Sequence, residues 1–133
     1  MRNILVTYKT NEKEKEFYKN FFQDQVISFL EDDTEIDKKE QKLLESEIII
    51  AWNPTRELEM FDKSLFRNFH LIQLLSAGYD HLKFDMFPDS CVIAANQGAF
   101  AIPMAEHTVA MILSLAKKLR LYHNRMAEGK LNR

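Results

Sequence analysis

Short apolar runs alternate with amphipathic segments along residues 1–95. Asn3–Tyr8 reads as a buried strand carrying Ile4, Leu5 and Val6 in a run. Glu12–Gln23 reads as a helix whose Phe17, Phe21 and Phe22 fall on one side, with Tyr18 alongside. Gln25–Leu30 is a second strand, Glu31–Asp33 an acidic turn, and Asp37–Glu45 a short helix with Leu43 and Leu44 inward. Glu47–Trp52, with IIIAW at its heart, is a third strand. Asn53 and Pro54 break the pattern, and Thr55 is placed to cap a helix over Arg56–Asn68 with Leu58, Phe61, Leu65 and Phe69 as its stripe. His70–Leu75 is a fourth strand ending in Ser76–Ala77–Gly78. His81–Phe87 is a short helical or irregular piece closed by Pro88, and Cys91–Ala95 is a fifth strand.

A loop around Gly98 then leads into a long helix that begins near Ile102 and runs to about Leu119. Pro103 suits its first turn, where a missing N–H costs nothing. Lys117, Lys118 and Arg120 lie toward its negative end. Ala105, Val109, Ile112, Ala116 and Leu119 make one apolar stripe, and Met104, Met111 and Leu115 make a second beside it. A helix that covers one sheet face needs one stripe, so the second predicts burial against another body.

Strands separated by helices must run parallel with right-handed crossovers, and near-continuous apolar strands suit a sheet covered on both faces. The expected fold is α/β: a doubly wound, five-stranded parallel sheet in order 2-1-3-4-5 with a long C-terminal helix projecting from one edge. Binding loops of such a sheet lie at the carboxyl ends of the strands. Here these are Tyr8–Asn11, Trp52–Thr55, Ser76–Tyr79 and Asn96–Ala101.

Composition narrows what those loops can do. There are three glycines, Gly78, Gly98 and Gly129, and no GxGxxG or GxxxxGK[ST], so no dinucleotide or nucleotide phosphate is cradled in the usual way. The first strand-end loop has no glycine to approach a flavin phosphate. A receiver domain would need acidic residues after strand one and an Asp ending strand three, where this chain has Thr7–Asn11 and Trp52–Asn53. No cysteine pair or histidine cluster suits zinc. His70 opens a strand, His81 and His107 are expected to hydrogen-bond at element ends, and His123 sits on a basic helix. Lone Cys91 reads as a small buried apolar residue, which fits a reducing cytoplasm. No apolar run reaches the ~20 residues of a membrane span.

Net charge is −2, unevenly placed. Residues 1–116 carry 12 basic and 19 acidic residues (12 − 19 = −7); residues 117–133 carry six basic and one acidic (6 − 1 = +5). Without aromatic stacking residues in pattern, the basic end reads as a helix C-terminus rather than a nucleic-acid surface. Ser76–Ala77–Gly78 offers more: small residues at a strand's carboxyl end expose N–H groups able to bind a carboxylate. The same residues would equally make a plain tight turn.

The segment LIQLLSAGYDHLKFDMFP resembles the "gaGvDniD" segment of the D-isomer-specific 2-hydroxyacid dehydrogenases. VIAANQGAFAIPMAEHTVAMILSLAKKL resembles the family's segment leading into its long helix, and the closing RMAEGKLNR resembles the stretch before its nucleotide domain. Residues 1–70 match in architecture alone, apart from AWNP, which is similar to a strand-end segment of formate dehydrogenase relatives.

The resemblance implies a flavodoxin-like outer domain, residues 1–133, that binds a small 2-keto or 2-hydroxy acid, with the Rossmann domain that binds NAD or NADP and carries the catalytic Arg, Glu and His absent from this chain. On it, Ala77 and Gly78 would hold the substrate carboxylate and Trp52 would line the substrate pocket. Phe100 stands where several members place a substrate-contacting Asn; it cannot make that hydrogen bond, which weakens a formate dehydrogenase reading. Ala101 would lie near the nicotinamide, and Glu106 and His107 would be structural. No catalytic residue, bound cofactor or metal is expected in this fragment, nor a nucleic-acid or membrane partner. A homodimer through the helix starting near Ile102 is. The alternative is a stand-alone, non-catalytic dimerisation module of the same fold.

Overall fold

The computed structural model describes residues 1–130. Positions 131–133, which close the RMAEGKLNR stretch and the expected 1–133 domain, lie outside the described residues. The chain divides into two compact units, Met1–Gln97 and a second from Gly98 onward.

The first unit holds five short strands: β1 (Asn3–Val6), β2 (Val26–Phe29), β3 (Ile48–Ala51), β4 (Leu71–Leu74) and β5 (Val92–Ala94). They form one sheet in order β2-β1-β3-β4-β5, and each neighbouring pair is parallel. This is the expected doubly wound order. Side-chain alternation splits the core in two. Ile4, Val6, Phe29 and Ile50 face one side, joined by Tyr18 and Phe22 of α1 (Glu12–Phe21) and its C-cap. Leu5, Ile49, Ala51, Ile72 and Leu74 face the other, against Leu43 of α2 (Ile36–Glu45) and the buried Leu58, Phe66 and Phe69. Each fully buried Leu, Ile or Phe contributes about 1.5–3 kcal/mol of transfer free energy.

The inner face of α1 differs from the expected one. Tyr18 and Phe22 pack inward, whereas Phe17 and Phe21 stack on each other outside, 62% and 69% exposed. The helix starts at a capping box: the Asn11 side chain accepts from the Glu14 N–H at 3.0 Å and the Glu14 carboxylate accepts from the Asn11 N–H at 2.8 Å. On the outermost strand β5, Val92 is 61% exposed.

The helix expected over Arg56–Asn68 is two pieces, α3 (Pro54–Glu57) and a 3-10 turn (Lys63–Phe66). Asn53, not Thr55, is the cap, accepting from the Arg56 N–H with Pro54 as first helical residue. The Asp62 carboxylate accepts from the Ser64 N–H at 2.9 Å, a local turn that competes with helix. Thr55 is buried and its hydroxyl accepts instead from the Lys83 N–H.

The second unit holds α4 (Ala101–Ala116) and α5 (Leu119–Ala127). The long helix thus begins as expected and stops short of Leu119. Lys118 adopts a left-handed conformation, φ 53°, after Lys117 and Lys118 have closed α4 with N–H bonds to Leu113 and Leu115. Gly98, at φ +84°, takes a conformation open to glycine, ahead of α4. Along α4 every residue except the partly covered Ser114 is exposed, both expected stripes included. Among the described residues no helix is long and apolar enough to cross a membrane.

Candidate functional site

The first unit gathers its chemistry at the carboxyl ends of β1, β3 and β4. Glu57 organises the β1–β3 end. The short α3 turns its chain back so that the Glu57 carboxylate accepts from the Asn53 N–H at 2.8 Å and the Trp52 N–H at 3.2 Å. Its other oxygen accepts from the hydroxyl of buried Thr7, just beyond β1. One carboxylate thereby ties the ends of two adjacent strands together.

Above this tie lies a cleft of about 450 Å³, walled by Tyr8 and Trp52 and rimmed by Lys9 and Arg56. The two aromatic rings meet edge-on, with centroids 6.4 Å apart. Tyr8 shares a 2.9 Å hydrogen bond with the Tyr18 hydroxyl. Burial, then that hydrogen bond, holds the Tyr8 phenol well above its ordinary range, so it stays neutral. Trp52 is half-exposed at 46%, a wall rather than core.

The turn after β4 lies one strand further along. The Leu75 N–H donates to the Ala51 carbonyl, and the Ser76 hydroxyl donates to the Gly78 carbonyl at 2.9 Å while standing 3.4 Å from the Trp52 carbonyl. On its other side, Asn96 grips the turn: its N–H donates to Ser76 O and its side-chain amide to Leu75 O. Ala77 and Gly78 are exposed, and among the described residues neither N–H has an acceptor. A Cβ on Gly78 would meet Asp80 Oδ2 at 3.8 Å, ordinary contact distance, so neither room nor φ demands glycine there. Beside it, Tyr79, Phe84, Ile93, Ala95 and Gln97 line a second cavity of about 320 Å³.

Of the expected site residues, Trp52 and Gly78 are linked through the Ser76 hydroxyl, which reaches the carbonyls of both, and Ala77 stands between Ser76 and Gly78 in the chain. Phe100 and Ala101 belong to the second unit. Phe100 precedes α4 at 41% exposure, and Ala101 is its first residue, donating to Gly98 O at 3.1 Å. Glu106 and His107 are exposed within α4 rather than engaged at its start. His81 does not make the expected hydrogen bond: its Nε2 is buried without a partner among the described residues. Cys91 is half-buried ahead of β5, and burial pushes its thiol pKa up. Among the described residues no cluster of His, Cys, Asp or Glu is placed to hold a metal ion. Thr7, Glu57 and Asn96 escaped the sequence reading. Their strand-end positions were visible, but their partners depend on how α3 and the β5 loop turn.

No family model matches the chain, and no curated protein matches its sequence. Solved structures do match its fold. A glycerate dehydrogenase related protein from Thermoplasma acidophilum is 21% identical, with a TM-score of 0.68 over 98% of this chain. D-lactate dehydrogenase from Aquifex aeolicus, complexed with NAD and lactic acid, is 22% identical, with a TM-score of 0.68 over 99%. Phosphoglycerate dehydrogenase from Lactobacillus plantarum is 16% identical, with a TM-score of 0.53 over 94%. The chain spans 40%, 39% and 38% of the length of these proteins, in that order. At these identities the likeness is one of fold.

Proposed function

We propose that this chain is the substrate-binding domain of an NAD(P)-dependent oxidoreductase that interconverts a 2-keto acid and a D-2-hydroxy acid. The observation that carries the proposal is the β4 turn: two exposed N–H groups that find no acceptor among the described residues, in a turn whose Ser76 hydroxyl reaches the Trp52 carbonyl beyond β3 and which Asn96 grips from the β5 loop. Paired backbone N–H groups in a braced turn suit a carboxylate, and an aromatic wall suits the carbon chain behind it. In this reading Ala77 and Gly78 hold the acid and Trp52 lines its pocket. The resemblance in sequence assigns Phe100 a substrate-contacting position and Ala101 one near the nicotinamide.

The residues of this chain do not fit a dinucleotide by themselves. The glycines Gly78, Gly98 and Gly129 are scattered, and no strand runs into a glycine-rich phosphate loop. Hydride transfer therefore belongs to a nucleotide-binding domain outside these residues, and a GxGxxG encoded beyond Arg133 is the simplest form it can take. A stand-alone dimerising module is the second reading, favoured by the exposed apolar faces of α4. Both readings share a homodimer through that helix.

The test is a proton–nitrogen NMR titration of the 133-residue chain with pyruvate. Movement of the Ala77 and Gly78 amide signals and of the Trp52 indole signal, saturating in the millimolar range, is expected. Saturation without movement at these positions would overturn the site.

A further inference from the structure

The cleft at the ends of β1 and β3 is charged in an uneven way. Its acids are already engaged: Glu57 by Thr7 and two backbone N–H groups, Glu31 by Lys39 at 2.9 Å. Its cations are not. Among the described residues neither Lys9 nor Arg56 has a carboxylate within ion-pair distance, and both are exposed at the rim. Arg56 is fixed at its base, where its N–H donates to the Asn53 side chain, and its guanidinium remains available.

From this geometry we infer that the cleft receives the far end of the substrate, and that this end is a second acid: the substrate is a 2-keto acid bearing a further carboxylate or a phosphate ester. The inference rests on the proposal that Ala77 and Gly78 hold the first carboxylate. β4, β3 and β1 are consecutive in the sheet. The turn after β4 and the loop after β1 therefore stand about two strand spacings, roughly 10 Å, apart. Trp52 at the end of β3 lies between them. A ligand lying along this edge has its first acid at Gly78, its carbon chain over Trp52 and Tyr8, and its second acid toward Arg56 and Lys9. The guanidinium fork matches carboxylate and phosphate oxygens in pairs, and Lys9 adds a point charge. An apolar end in the same place would strip water from both cations and return nothing.

Three probes on the full chain at physiological salt test this by NMR titration: 2-oxoglutarate, phosphohydroxypyruvate, and 2-oxopentanoate, which has the carbon chain of the first without its second carboxylate. All three should move the Ala77 and Gly78 amides. The two diacids should also move Arg56 signals and bind about fivefold or more tightly than 2-oxopentanoate. The tighter of the two identifies the second acid as carboxylate or phosphate. The exposed pair Lys9→Gln and Arg56→Gln should abolish that advantage and leave 2-oxopentanoate binding unchanged. Equal affinity for diacid and monoacid, or an advantage that survives the double variant, overturns this inference and leaves the 2-keto acid proposal standing. No response at Ala77 and Gly78 to any probe overturns both.

Discussion

The Thr7 hydroxyl donates to the Glu57 carboxylate across the carboxyl ends of β1 and β3, so the loop that carries Trp52 is held by a residue from a neighbouring strand. Glu57→Ala leaves the Trp52 and Asn53 N–H groups without their acceptor. Hydrogen bonds to a charged group contribute about 1.5–3 kcal/mol. We expect a loss near 2 kcal/mol in urea unfolding, together with broadened Trp52 signals. A loss under about 0.5 kcal/mol, the level of an ordinary surface change, would mean the tie is ornamental.

Phe66 is fully buried, with its ring stacked on Phe69 at 5.1 Å and tilted against Phe87 at 6.1 Å. Phe66→Ala opens a cavity where the 3-10 turn meets the sheet and should cost about 3–5 kcal/mol. That is comparable with the lower end of total domain stability, so partial unfolding at 37 °C is the expected circular dichroism result. A midpoint shifted by less than the equivalent of ~1 kcal/mol would place the core elsewhere.

Lys118 stands at φ 53°, where a side chain is strained and glycine is not. Lys118→Gly should therefore stabilise the α4–α5 junction by about 0.5–1 kcal/mol, and Lys118→Val should destabilise it, because a β-branched residue tolerates that conformation least. Amide exchange along Leu119–Ala127 reads this directly. Faster exchange in the glycine variant would contradict the assignment.

Met111 and Leu115 are 52% and 80% exposed. Met111→Glu with Leu115→Glu then removes no core packing, yet would desolvate two carboxylates in an apolar seam. The wild-type chain should sediment as a dimer at ~100 μM, well above a micromolar dissociation constant, and the variant as a monomer with unchanged circular dichroism. A monomeric wild type would remove the helix as a self-association surface.

The Lys42 ammonium pairs with the Asp33 carboxylate and holds its pKa below the ordinary 3.8. A depressed folded-state pKa contributes stability above the unfolded value and loses it as pH falls through the folded one. Asp33→Asn should therefore flatten the acid limb of the stability profile below about pH 4 and change little near neutrality. An unchanged acid limb would show that the pair is not formed in solution.

Strand order was legible because alternation of apolar runs and helices leaves few parallel topologies. The burial of Leu58, Phe61 and Phe69 was legible too, although the helix meant to carry them is broken, since a large apolar side chain seeks the core by whichever backbone reaches it. The α1 face was not. Phe17 with Phe21 and Tyr18 with Phe22 are both pairs at spacing four, and the sequence does not rank them; the sheet does, by accepting Tyr18 toward Tyr8 and Phe29. The break at Lys118 has no glycine or proline to announce it. At the site, the small residues of Ser76–Gly78 announced a turn, whereas Glu57 gave no signal, because its role exists only once α3 has folded back.

Strand order also bears on how the chain can be made. After β1, each new strand in the sheet joins an outer edge: β2 on one side of β1, β3 on the other, then β4 on β3 and β5 on β4. None has to wedge between two strands already paired. A ribosome releasing this chain from its amino end thus delivers every strand to an edge that is already waiting, and the growing sheet never has to reopen. Arrested nascent chains should gain protection in that same sequence, with the β1–β2 pair closing first and β5 last.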